Sequence, residues 1–138
     1  MVPTPLSDLE LPADLALQLT CVGDEFLVRC LRYETSIRPT NLGALAELGH
    51  ALTRLRRFEE GLDVDRALAR LCPEDPLVHY NLACSLALLE RRDEAFGALE
   101  RAVELGYAEP QHLLDDPDLT SLRSDPRFQQ LVERLRAT

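Results

Sequence analysis

Lysine is absent from this chain of 138 residues, and so is tryptophan. All 15 positions counted as Lys or Arg are arginine, which we read as the codon usage of a GC-rich, bacterial genome rather than as chemistry. Aromatic residues make up only 5%. That scarcity speaks against a β-sandwich or barrel, whose strands favour aromatic and β-branched side chains. Basic residues are outnumbered by 24 acids, for a formal charge of −9. With no basic stripe to displace counterions from phosphates, nucleic acid is not an expected partner. No apolar run approaches the roughly 20 residues needed to span a bilayer. The first ten residues, through Glu10, carry no basic residue ahead of an apolar stretch, so no secretory signal is expected and the cytoplasm is the default location.

Chemical motifs are missing too. The sequence has no Gly-rich phosphate loop, no H-E-x-x-H, no G-x-S-x-G and no C-x-x-C pair. The four cysteines, Cys21, Cys30, Cys72 and Cys84, are irregularly spaced and read as small apolar side chains; a disulfide framework is not expected. No cofactor, metal or catalytic group is therefore expected.

A period is what the sequence does have. Ile37, Leu71 and Leu105 lie 34 residues apart, as do Pro39, Pro73 and Tyr107. At the same interval Leu48-Gly49 answers Leu82-Ala83, Leu52 answers Leu86, Leu55 answers Leu89, and Glu60-Gly61 answers Glu94-Ala95. Such a period, with small residues at fixed places, marks stacked helix-turn-helix units. Residues 1–11 are proline-punctuated and read as an extended arm. Residues 12–40 read as a degenerate or capping hairpin, with Pro12 opening a helix, Gly23 ending it and Asp24 starting the next. In 41–74, Asn41 is an N-cap candidate, Leu45, Leu48, Leu52 and Leu55 form one stripe, the turn falls at Arg56-Arg57, and Phe58 to Leu71 is the partner helix. In 75–108, Asp75-Pro76 repeats the cap logic, Val78, Leu82, Leu86 and Leu89 form the stripe, and Asp93 to Leu105 is the second helix. Residues 109–138, with Asp-Pro starts at 116 and 125, read as a helical lid, because a terminal hairpin would otherwise leave its apolar face in water.

Leu82, Ala83, Leu86, Ala95, Leu99 and Ala102, with Tyr107 closing the slot, resemble the tetratricopeptide repeat. Residues 42–75 form a looser copy that departs at Asp65, where a large apolar residue is usual, and at Leu68, where a small one is usual. The tail from Leu122 to Phe128 resembles the Asp-Pro-rich cap of small bacterial members. The resemblance implies an all-α superhelix of about three helical hairpins plus capping helices, and a non-catalytic adaptor whose first helices line a concave groove for a peptide or protein surface. Its register nominates Glu47, His50 and Arg54 from one copy, and Tyr80, Asn81, Cys84 and Leu88 from the next. Asn81 is the most suggestive, since an amide both donates to and accepts from a ligand backbone. A clamp for a C-terminal carboxylate is not expected, because Ala46 and His50 stand where that group uses other side chains.

Plainer readings stand beside these. Glu47, His50 and Arg54 fit a solvated, salt-linked helix face; Asn81 fits simple surface decoration; Tyr80 fits packing beneath the N-terminal hairpin; His79 fits a half-buried filler. A second functional reading makes the chain a self-associating subunit whose groove is filled by a neighbour or by residues 1–11. A remote third reading makes the three histidines and the cysteines a metal or thiol centre, and their spacing lends it no support.

Overall fold

The computed structural model describes residues 13–138, and every described element is helical. In order these are α1 (Ala13–Ile37), α2 (Leu42–Arg54), α3 (Phe58–Leu71), α4 (Pro76–Leu88), α5 (Arg92–Glu104), α6 (Pro110–Asp115), a 3₁₀ helix (Pro117–Leu122) and α7 (Pro126–Ala137). Each helix from α1 to α4 packs on the next, and the 3₁₀ helix and α7 return to cover α4 and α5. This stepwise contact is that of a stack in which each unit shelters its neighbour.

Local chemistry sets the boundaries. Asn41 caps α2 by accepting the Ala44 N–H, and Asp75 caps α4 by accepting the Leu77 N–H. Asp116 and Asp125 do the same for the 3₁₀ helix and α7, each ahead of a proline whose missing N–H costs nothing there. The hairpin turns repeat as faithfully as the apolar residues. Arg56 and Glu90, 34 positions apart, are the two non-glycine residues with positive φ among those described, at 59° and 57°. After each, an N–H reaches back to close the preceding helix, Arg57 to Leu52 and Arg91 to Leu86. Tyr107 to Ala102 closes α5 in the same way, and there the left-handed position is Gly106.

Small residues sit where helices cross. Gly61 lies close to Gly49, and a Cβ added there would come within 3.9 Å of the Gly49 carbonyl oxygen. Ala83, Ala95 and Ala102 are fully buried in the second hairpin. Helix α4 is apolar nearly all round, as expected of a helix covered by α3, α5 and the 3₁₀ helix together. Leu68, one of the two departures from the repeat pattern, joins Val28, Leu45, Leu48 and Leu52 in the N-terminal core.

The N-terminal region corrects one expectation. The hairpin read into residues 12–40 is one continuous helix, and Gly23 lies inside it. Glycine weakens a helix interior by only about 1 kcal/mol, and contacts of α1 with α2 outweigh that. Val28, Leu27 and Leu31 pack on the first hairpin, and Asp24, Glu25 and Arg32 pair with Arg54, Arg57 and Glu60. The arm at 1–11 and Pro12 lie outside the described residues. Among the described residues, no helix is long and apolar enough to cross a membrane.

Candidate functional site

A cavity of about 300 Å³ opens where α2, α3, α4 and the C-terminal cap converge. His50, Arg54, Tyr80, Asn81, Cys84 and Leu88, all nominated from the sequence, line it. Glu47 is exposed on α2 and does not. Helical spacing explains the gathering: 50 and 54 on α2, and 81, 84 and 88 on α4, recur every three or four residues and share one face. The cavity also brings in Gly49, Thr53, Asp65, Ser85, His112, Asp116 and Asp118.

Three of the nominated side chains are already engaged. Arg54 forms a two-pronged ion pair with Asp24 of α1, at 2.8 and 3.1 Å, so its charge is spent on holding that helix. Tyr80 is 2% exposed, and its partners are at the end of the second hairpin and in the cap rather than in the N-terminal region, where the sequence suggested packing. Its ring stacks on Tyr107 at 4.7 Å between centroids, and its hydroxyl donates to Asp116 Oδ2 at 2.7 Å. Cys84 is buried, and its thiol donates to the same carboxylate oxygen at 3.7 Å. Burial, reinforced by the Asp116 and Asp118 charges, raises the Cys84 thiol above its ordinary range and keeps it protonated. Burial and the bond to Asp116 likewise hold Tyr80 neutral. His79, also singled out in the sequence, is half-buried and uses its ring to reach the Pro73 carbonyl at 2.8 Å.

Asp116 is therefore the hub that locks the cap to α4. One carboxylate oxygen takes Tyr80 and Cys84, and the other accepts the Asp118 N–H at 2.9 Å. His112 stands alongside, with Nε2 3.9 Å from Asp116 and Nδ1 3.0 Å from the Tyr107 hydroxyl. Cys84, Asp116 and Asp118 bring one potential ligand atom each to within 4.8 Å of one another.

Across the cavity, Asp65 shows why the first repeat departs from the pattern. It is 9% exposed, and Ser85 of α4 donates a short hydrogen bond to it. Burial raises its carboxyl to about 6, against the opposing pull of the Ser85 bond and of His50. Burial, with Asp116 nearby, also raises Asp118. A buried carboxylate is ordinarily matched by a cation. Asp65 has a hydroxyl instead. Sequence reasoning noted Asp65 only as an irregularity; a carboxylate in an apolar slot was itself the signal.

No protein-family model matches the chain. Over 81 residues, 58% of its length, it is 33% identical to a chloroplastic protein of Arabidopsis thaliana, and it spans 23% of that protein. Among solved structures, "MamA MSR-1 C2" aligns with a TM-score of 0.50 and 26% identity, over 64% of this chain and 56% of that one. The fold is a TPR-like helical superhelix. The chain thus covers about a quarter of the curated relative and just over half of the solved chain.

Proposed function

We propose that this chain is a non-catalytic interaction module of the tetratricopeptide type, and that a peptide or an extended segment of a larger protein lies across α2 and α4. The observation that carries the reading is the convergence of His50, Asn81 and Leu88 on one cavity. Asn81 and Leu88 are half-buried, His50 is exposed, and among the described residues no side-chain hydrogen bond or ion pair occupies any of the three. Such a wall offers amide, imidazole and apolar contacts without first having to break an internal bond, which keeps the cost of binding low. Tyr80 and Cys84 have a supporting role here, since both anchor the cap that forms one side of the cavity.

The test follows from that division. A photo-crosslinking phenylalanine analogue is placed at Asn81, facing the cavity, or at Arg70, on the outer helix α3 and away from it. We expect adducts to host proteins at 81 and few or none at 70. Equal yields at both positions, or adducts at 70 alone, would place the binding surface elsewhere. A Tyr80→Ala variant is unsuitable, because removing a stacked, hydrogen-bonded ring disturbs the cap itself.

A further inference from the structure

Resting on the groove reading above, the charge around the cavity points to the chemistry of its occupant: we infer that the cavity receives the basic side chain, arginine or lysine, of the bound segment. Asp65 of α3, and Asp116 and Asp118 at the start of the 3₁₀ helix, contribute three carboxyl groups from two parts of the fold. Against them stands one guanidinium, Arg54, and it is committed to Asp24. His50 and His112 are the other basic groups on the wall.

The deepest carboxyl, Asp65, is bonded to a neutral hydroxyl and has no ion-pair partner among the described residues, only the more distant charge of the exposed His50. A close counterion is therefore missing in a site partly shielded from water. A cation entering the cavity supplies that counterion, whereas an acidic segment meets uncompensated like charge. The net charge of −9 adds a long-range attraction for basic segments and slows acidic ones. Size agrees as well. About 300 Å³ lies at the lower end of the range for small-ligand clefts, roomy enough for one long side chain and too small for a folded element.

The alternative use of the same carboxylates is a metal ion held by Cys84, Asp116 and Asp118. Asp116 already spends one oxygen on Tyr80 and Cys84 and the other on the Asp118 amide. A metal would compete with those donors for Asp116 and would have to ionise a thiol that its surroundings keep protonated. The cation in the ligand requires neither.

Random linear peptides displayed on phage are selected on the full chain, and the recovered peptides are synthesised and titrated. We expect an arginine or lysine at one fixed position. Replacing it by citrulline or acetyl-lysine should weaken binding at least tenfold. Asp65→Asn and Asp118→Asn should each weaken binding of the parent peptide similarly, while both variants keep the helical content and melting behaviour of a folded chain. Amide NMR signals of His50, Asn81 and Leu88 report where the peptide sits. Peptides that shift those signals yet bind equally well with citrulline would overturn the basic-side-chain inference and leave the groove standing. Peptides that bind without shifting them, or no enrichment at all, would overturn the groove reading itself. A parallel titration with zinc chloride alone completes the set: submicromolar binding abolished by Cys84→Ser would assign the carboxylates to a metal and overturn the inference.

Discussion

The two ends of the stack finish in opposite ways. At the C-terminal end, Leu113, Leu119, Leu122, Leu131 and Val132 are all but fully buried, and they merge with the core of the second hairpin into one continuous cluster. At the N-terminal end, α1 offers Val28, Leu27 and Leu31 to a much smaller cluster and relies on ion pairs to α2 and α3. Its other side leaves Leu17, Val22, Phe26 and Tyr33 more than half exposed. Exposed ion pairs contribute about 0–1 kcal/mol each, whereas a fully buried leucine contributes several times that. The cap therefore supplies stability and one wall of the cavity together, and α1 supplies little of either beyond orienting Arg54.

The largest expected difference sets the two ends directly against each other. Leu119→Ala removes a side chain with no exposed surface and should lower stability by about 2–5 kcal/mol. Phe26→Ala removes one that is 67% exposed and should change it by less than about 0.5 kcal/mol. Comparable losses in urea unfolding would mean that α1 is buried against something in solution.

Next comes Asp65, which lies at the seam between the halves. Its folded value of about 6 stands above the ordinary 3.8, so the folded chain holds more protons than the unfolded one between those pH values. Its contribution is thus fully retained below about pH 4 and is lost as pH rises through 6. The neutral Asp65→Asn variant should match the parent near pH 4 and exceed it at pH 8, by at most about 3 kcal/mol. Taking the difference between the two proteins cancels the groups that do not interact with Asp65, whereas His50, whose charge opposes the upward shift, remains part of the measured difference. A difference that does not vary with pH would refute the assignment. A stability gain accompanied by the loss of peptide binding would show that this carboxylate is retained for recognition rather than folding.

Within the better-packed half, Ala95→Leu should overfill the α4–α5 crossing and cost about 1–3 kcal/mol; an unchanged melting temperature would count against that crossing. The smallest effect is a gain. Arg56→Gly should relieve the left-handed backbone at φ 59° and stabilise the first hairpin by about 1 kcal/mol, read as a shift in the urea midpoint.

The stacked hairpins were legible because each repeated position carries the same mechanical demand: a small residue at a crossing, a leucine on the seam, an acid before a proline. Even the left-handed turns, found at Arg56 and Glu90, obey the period without sharing a residue type. Gly23 was not decidable locally. A glycine can end a helix or be tolerated within one, and contacts formed by Val28 and Asp24 with distant residues settled the matter. The cavity was half legible. Register gathered His50, Asn81 and Leu88, but the Tyr80–Asp116 bond spans 36 residues and joins a repeat to an aperiodic tail, so no periodicity could announce it. Asp65 and Ser85 escaped for a related reason: their pairing depends on two helices approaching each other, and each residue read alone is only an exception to the pattern.

Native-state hydrogen exchange across the chain tests the contrast between the two ends most directly, because it reads the opening free energy of each helix separately. We expect amides of α4, α5 and α7 to exchange together and slowest, with α1 opening at a distinctly lower free energy. If α1 proves as protected as α4, the well-packed C-terminal half is not the source of the fold's stability, and the account of a cap-supported binding wall is contradicted.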